Sequence, residues 1–300
     1  MIHIIITSYN EPKATLRAVN SFLNQKIKGK FEIIVVDPFP QVADFLKKNV
    51  KDKRVKFFLD PGEGKSYALN ILFQEYYGDE KDIFILTDGD VFVSENAVEQ
   101  IVNKFKYSRI GCVTGKPVSI DDKNTKYGYW SHLSFAGIHR TRKKLSAKNK
   151  FLECSGYLFA IRKGVILDFP LETSEDSIIP YLFWKKGYKI AYADKAEVYV
   201  KNPSNWKDWN MQKIRNVKAH ENLNKIAPNM PRTKSLLNEI KEGALFALTY
   251  PRNPKEVLWT IQLYFARLNM YLSAFKELKK KSYQDGWRQK EIVSTKPLDF

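Results

Sequence analysis

A chain of 300 residues, 44% of them hydrophobic, carries enough apolar side chains for one large domain or a domain with an appendage. That composition excludes a disordered chain, and no internal repeat or low-complexity tract interrupts it. The 50 Lys and Arg against 33 Asp and Glu give a net charge of +17, which favours anionic partners such as nucleic acid, anionic lipid or phosphorylated substrates.

In chain order, "IHIIITS" (2–8) reads as a first strand and not as a signal peptide, because no basic segment precedes its short apolar run. "EPKATLRAVNSFLNQ" (11–25) places Leu16, Val19, Phe22 and Leu23 at helical spacing. "FEIIVVD" (31–37) and "VKFFLD" (55–60) are strand-like, "SYALNILFQEYY" (66–77) is helical, and "IFIL" (83–86) is a buried strand. "SENAVEQIVNKF" (94–105) reads as a helix with Ser94 as its N-cap, and "IGCVTGKPV" (110–118) as a further strand. This alternation predicts an α/β fold, a mostly parallel sheet with helices on both faces.

After residue 120 the alternation weakens. Residues 121–150 are polar, and 140–150 hold six basic residues and no acidic one, which reads as a loop or a mobile flap. "FLECSGYLFAIRK" (151–163) returns as a strand pair or strand-turn, and "SEDSIIPYLFWKKGY" (174–188) as a capped helix. "KIAYADKAEVYV" (189–200) supplies the strands that close a domain over 1–203. From 204 to about 281 the pattern is helical, so 204–300 forms a C-terminal helical extension. Cys112 and Cys154 make no disulfide framework, which points to a reducing, cytoplasmic compartment.

In parallel sheets, ligands gather at the carboxyl ends of the strands. Thr7, Ser8, Tyr9, Asn10 and Glu11 follow the first predicted strand and Asp37 ends the second. Asp60 and "PGEGKS" lie at the end of the third, Asp88 and Asp90 at the end of the fourth. Alone, Asp88-Gly89-Asp90 is ordinary turn chemistry. Placed among these groups, two carboxylates suit a hard cation, Mg²⁺ or Mn²⁺, that shares its oxygen ligands with substrate phosphates. The glycine between them is expected to let a diphosphate approach the backbone. Ser174-Glu175-Asp176 alone reads as a helix cap, with acids at the favourable end of the dipole. Gln212 and Arg215, three apart on a helix, share a face, and Arg215 offers a fork of donors to a phosphate or carboxylate. Cys154 reads as a small packed residue. His132, His139 and His220 show no metal-ligand spacing.

Together, "TSYNEP" (7–12), Asp37, "GEGKSYALN" (62–70), "TDGD" (87–90), "SGYLFAIRK" (155–163), "SEDSIIPYLFWKKGY" (174–188) and "QKIRN" (212–216) resemble a family 2 glycosyltransferase with the GT-A fold. The resemblance covers roughly residues 2–220 and is nearest the synthase-like branch with D-x-D, E-D and Q-x-x-R-W motifs. It implies that Thr7, Tyr9 and Glu11 hold the nucleotide, Tyr9 stacking on the base and Glu11 lying near the ribose. It implies that Asp37 accepts a hydrogen bond from uracil, although Pro38 stands where the family has a second Asp. Lys65 then lies near the nucleotide, Asp88 contacts the ribose or a metal-bound water, and Asp90 binds the metal that bridges the diphosphate. Asp176 matches the general base, with Glu175 orienting the acceptor or raising the pKa of Asp176.

The activity implied is inverting, metal-assisted transfer from a nucleotide-diphosphate sugar, UDP-linked, to a glycan or lipid-linked acceptor. Asn216 replaces the family's Trp, with Trp206 and Trp209 just upstream, which weakens the case for a processive synthase. A nucleotidyltransferase would also place acids at strand ends, but the basic Gly-rich entry motif is missing. A nucleic-acid-binding module, prompted by 140–150 with Trp130 and Phe135, leaves the ordered acids unexplained, so no nucleic-acid partner is expected.

Residues 257–275 form an apolar stretch containing Thr260, Gln262, Arg267 and Asn269. An arginine near the centre costs about 2.5–3.5 kcal/mol on insertion scales, so a membrane span is not expected. Two readings stay open. The stretch is an amphipathic helix lying on an anionic membrane face, with Lys276 and Lys279–Lys281 at the headgroups, or it is a helix packed on the catalytic domain.

Overall fold

A computed structural model of the chain describes residues 1–171, 173–231, 243 and 246–278. Its centre is a run of parallel strands, β1 (Ile2–Thr7), β2 (Phe31–Asp37), β3 (Val55–Leu59) and β4 (Ile83–Asp88). β1, β2 and β4 are near-continuous Ile, Val, Phe and Leu because helices cover both faces of the sheet.

Side chains alternate across the strands. Ile4, Ile6, Ile33, Val35 and Ile85 face one apolar layer with α1 (Pro12–Leu23), α2 (Pro40–Asn49) and α4 (Ala97–Val102). Ile5, Ile34, Phe84 and Leu86 face the other, with α3 (Lys65–Glu75) and α6 (Glu175–Lys185).

The sheet continues as a mixed one through β5 (Phe92–Val93), β6 (Ile110–Ser119), β7 (Leu158–Arg162) and β8 (Lys189–Val200), in the order β3-β2-β1-β4-β7-β6-β8-β5. β7 runs antiparallel to both β4 and β6. Its first residue therefore lies at the edge where β4 ends, Leu158 opposite Thr87. That reversal brings the 151–157 segment and the start of α6 to the carboxyl edge of the parallel strands.

The 121–150 region is corrected from loop to helix. It contains α5 (Lys126–Ala147), capped by Thr125, whose hydroxyl accepts from the Gly128 amide. Tyr129, Trp130 and Leu133 anchor it in a third apolar cluster with α7 (Trp206–Ile226) and α8 (Pro254–Leu278). In 151–163 only 158–162 form a strand. Ser94 is not an N-cap, since α4 starts at Ala97; the Ser94 hydroxyl instead accepts from the Glu197 amide of β8. α8 packs on α5 through Tyr129–Thr260 and Trp130–Trp259 hydrogen bonds of 2.7 Å each. No helix among the described residues is long and apolar enough to cross a membrane. Lys279–Lys281 lie outside the described residues.

Candidate active site

The site grows from the end of β4. In the β1–β4 register Thr7 lies opposite Asp88. The Thr7 hydroxyl donates to the Thr87 carbonyl at 3.2 Å and reaches Asp88 Oδ1 at 3.5 Å. The Gly89 amide donates to the Thr7 carbonyl at 2.7 Å, so the Asp-Gly-Asp turn is sewn to the loop after β1. A Cβ at position 89 would stand 2.6 Å from Ser8 Cβ and 3.2 Å from Ser8 Cα. Glycine at this position is thus required by close packing of two protein loops.

Lys65, the first residue of α3, places its ammonium 2.6 Å from both Asp88 Oδ1 and Glu175 Oε1. The turn before it is shaped by Gly62 and Gly64, both at positive φ, and by Asp60, whose carboxylate accepts from the Gly62 amide at 2.6 Å. Burial works against the Lys65 charge, but Asp88 and Glu175 hold its pKa above the ordinary lysine value. Burial raises the pKa of Glu175, with Lys65 opposing. Glu175 therefore spends its carboxylate on tying α6 to β4.

Asp90 is the other half of the acidic pair. Burial, then the like charge of Asp88, push its carboxyl up to about 7, while Lys65 and Arg17 oppose. Arg17 of α1 lies over the Phe92 ring at 4.7 Å and donates to the Asp90 carbonyl at 3.5 Å. The sequence reading missed Arg17, because it sits inside an ordinary amphipathic helix.

Asp176 lies in the first turn of α6. Its carboxylate accepts from the Ser174 hydroxyl and, at 3.2 Å, from the Gly156 amide. Its carbonyl accepts from the Cys154 amide at 2.9 Å. The buried Arg142 of α5 donates to the Cys154 carbonyl at 2.7 Å and feels the charges of Asp176 and Glu153. Glu153 in turn accepts from the Ser177 hydroxyl. One residue of the basic 140–150 run is thus internal and structural, and Lys143 is paired with Asp194 at 3.7 Å. Cys154 is buried, as expected of a packed residue.

Tyr157 is tied to the end of β4, its carbonyl accepting from the Thr87 hydroxyl at 2.7 Å. Burial first, then Asp90, Asp88 and Asp176, raise the pKa of its hydroxyl, and Arg215 of α7 opposes. Groups from β4, α6 and α7 therefore act on one phenol. The sequence offered no signal for Tyr157 beyond its place in "SGYLFAIRK". On α7, Gln212 Oε1 is buried with no hydrogen-bond partner among the described residues. Asn216 is exposed, and Trp209 is core, packed against Trp130 and Trp206.

The remaining nucleotide positions lie along the loop after β1. Tyr9 is 47% exposed and meets Phe39 edge-on at 5.0 Å. Glu11 occupies the N-cap position of α1 without a side-chain capping bond. Asp37, 0% exposed, sits beneath this loop. One of its oxygens accepts from the Ser8 hydroxyl and the Asn10 amide, the other from the Phe39 amide at 2.9 Å. Burial raises its pKa against these bonds. In this conformation Asp37 holds the loop from below, and Tyr9 faces outward.

The donor set of Asp88 and Asp90 is all oxygen and fits a hard divalent cation, whose charge would relieve the repulsion that raises Asp90. Among the described residues, no three His, Cys, Asp or Glu side chains group into a complete metal cage.

A mixed sheet of this order, with acids at the carboxyl edge of its parallel half, defines a GT-A-type transferase. A structural neighbour supports the fold. The mannosyltransferase PcManGT from Pyrobaculum calidifontis, solved in complex with GDP-Man and Mn²⁺, matches with a TM-score of 0.57 at 16% identity, covering 93% of this chain and 81% of that one. The profile of Glycosyl transferase family 2 matches residues 3–168, more than half of the chain, and the chain belongs to that family. A search of curated proteins finds no match. The protein is a glycosyltransferase.

Proposed function

We propose that the chain transfers a sugar, with inversion, from a nucleoside-diphosphate sugar to a glycan or lipid-linked acceptor, and that Asp176 is the general base. The observation that carries this reading is that the Lys65 ammonium, 2.6 Å from both Asp88 and Glu175, joins the Asp88-Gly89-Asp90 turn to the first turn of α6, where Asp176 accepts from the Gly156 amide at 3.2 Å. Residues 1–203 then hold the donor, and α7, with Gln212 and Arg215, lies on the acceptor side.

Asp88 and Asp90 would hold Mg²⁺ or Mn²⁺, which when bound supplies charge neutralisation at the leaving diphosphate. Asp176 accepts the proton of the acceptor hydroxyl as its oxygen bonds to the anomeric carbon and the sugar–diphosphate bond breaks. The Gly156 amide and the Ser174 hydroxyl both donate to the ionised carboxylate, and the α6 dipole favours it. Glu175 and Lys65 position this helix against β4.

The UDP expectation rests on Asp37 meeting uracil, and Asp37 is turned toward the loop. GDP-Man in the structural neighbour makes GDP-sugars the second donor class to compare. Thermal shift with UDP- and GDP-sugars, each with Mg²⁺ and Mn²⁺, selects the donor, since a ligand of the native state raises its apparent stability. NMR of the product's anomeric configuration then tests inversion. A retained configuration overturns the single-displacement reading.

A further inference from the structure

We propose that the outward face of α8 lies flat on an anionic lipid bilayer. The inward face of this helix is fully used: Leu263, Ala266, Met270 and Ala274 are buried in the cluster with α5 and α7. The opposite face exposes Leu258, Ile261, Phe265, Leu268, Leu272 and Phe275, recurring every three or four residues along one stripe. Phe265, near its middle, is 70% exposed. Single exposed apolar residues are normal, but a continuous stripe over several turns marks an interaction surface. Arg267 does not interrupt it. Half-buried, Arg267 follows the buried Ala266 and lies off the stripe by helical geometry.

The ends of the stripe identify the occupant. At the amino end lie Lys255, over the Trp259 ring at 4.7 Å, and Lys123, over Tyr250 at 5.1 Å. At the carboxyl end Lys276 is exposed. Lysines flanking an exposed apolar band match the interfacial zone of an anionic bilayer, where the side-chain stem is dry and the charged end wet. The net charge of +17 adds attraction to anionic lipid. A second copy of the chain would bring lysines of the same sign together. α8 is not apolar enough to span, so its axis lies in the membrane plane.

The test is co-sedimentation of the full chain with vesicles of phosphatidylcholine alone and with about one-third phosphatidylglycerol. Binding is expected to the anionic vesicles only, and to weaken as salt rises. Phe265→Glu with Leu268→Glu should lower partitioning about tenfold or more at unchanged thermal stability, since both side chains already meet solvent. Lys123→Gln with Lys255→Gln should weaken binding and flatten its salt dependence. No binding to anionic vesicles overturns the proposal, as does binding that the double Glu variant leaves intact. So does a wild-type dimer, measured by sedimentation, that ignores vesicles and that the double Glu variant splits into monomers. None of these readouts depends on sugar transfer.

Discussion

The two edges of the parallel sheet both gather buried charge, and they handle it in opposite ways. At the amino edge, His3 Nδ1–H donates to Glu32 at 2.8 Å and His3 Nε2 accepts from Lys163 at 3.2 Å. Lys163 lies 3.5 Å from Asp82, Lys56 lies 2.6 Å from Glu32, and the chain's amino group pairs with Asp82. Each carboxylate there has its own cation, so no acid is left over. At the carboxyl edge, the four acids Asp88, Asp90, Glu175 and Asp176 gather with three cations, Lys65, Arg17 and Arg215. The surplus of acid is what a cation and a proton-bearing hydroxyl would answer. A closed network stabilises a fold; an unbalanced one is a place for chemistry.

Three substitutions sharpen that contrast, in falling order of effect. Lys65→Met strands Asp88 and Glu175 as buried acids and should cost about 3–5 kcal/mol in urea unfolding, with transfer lost. Adding Glu175→Gln to Lys65→Met should restore part of that stability but none of the transfer. If Lys65→Met is neutral, the bridge does not hold the site together. Gly89→Ala forces a methyl against Ser8 and should cost about 1–3 kcal/mol, with weaker donor binding in calorimetry. An unchanged protein would mean the two loops part freely.

The smallest effect lies at the amino edge. Burial first, with Lys163 acting the same way, lowers the pKa of His3 from 6.5. Below that ordinary value the unfolded chain binds a proton that the folded one refuses, so stability is complete above pH 6.5 and is lost as pH falls toward the folded value. Thermal melts from pH 8 to 5.5 should show this slope, a range set by ordinary His titration. His3→Asn should flatten it without altering donor binding. A slope that survives in His3→Asn places the titration elsewhere.

The parallel half of the fold was legible because strands buried on both faces leave continuous apolar runs, as in "FEIIVVD". The acids were legible because they end those runs. α5 was not: Tyr129, Trp130 and Leu133 are buried by α7 and α8, far along the chain, while its lysines and arginines imitate a loop. α2 was not, since only Val42 and Leu46 are buried. Arg142 was hidden among surface lysines, and Tyr157 becomes significant only when β7 reverses direction and brings it to the end of β4. The role of Gly89 depends on a contact with Ser8 that no local pattern encodes.

The central claim is a division of labour: Asp88 and Asp90 hold the cation-bound donor, and Asp176 takes the acceptor's proton. Donor binding by calorimetry and transfer rate, measured side by side in Asp90→Asn and Asp176→Asn, test it most directly. The account predicts that Asp90→Asn loses metal-dependent donor binding, while Asp176→Asn binds donor normally and transfers about 10²–10⁴-fold more slowly. Normal transfer by Asp176→Asn, or metal-dependent donor binding undiminished in Asp90→Asn, would contradict it.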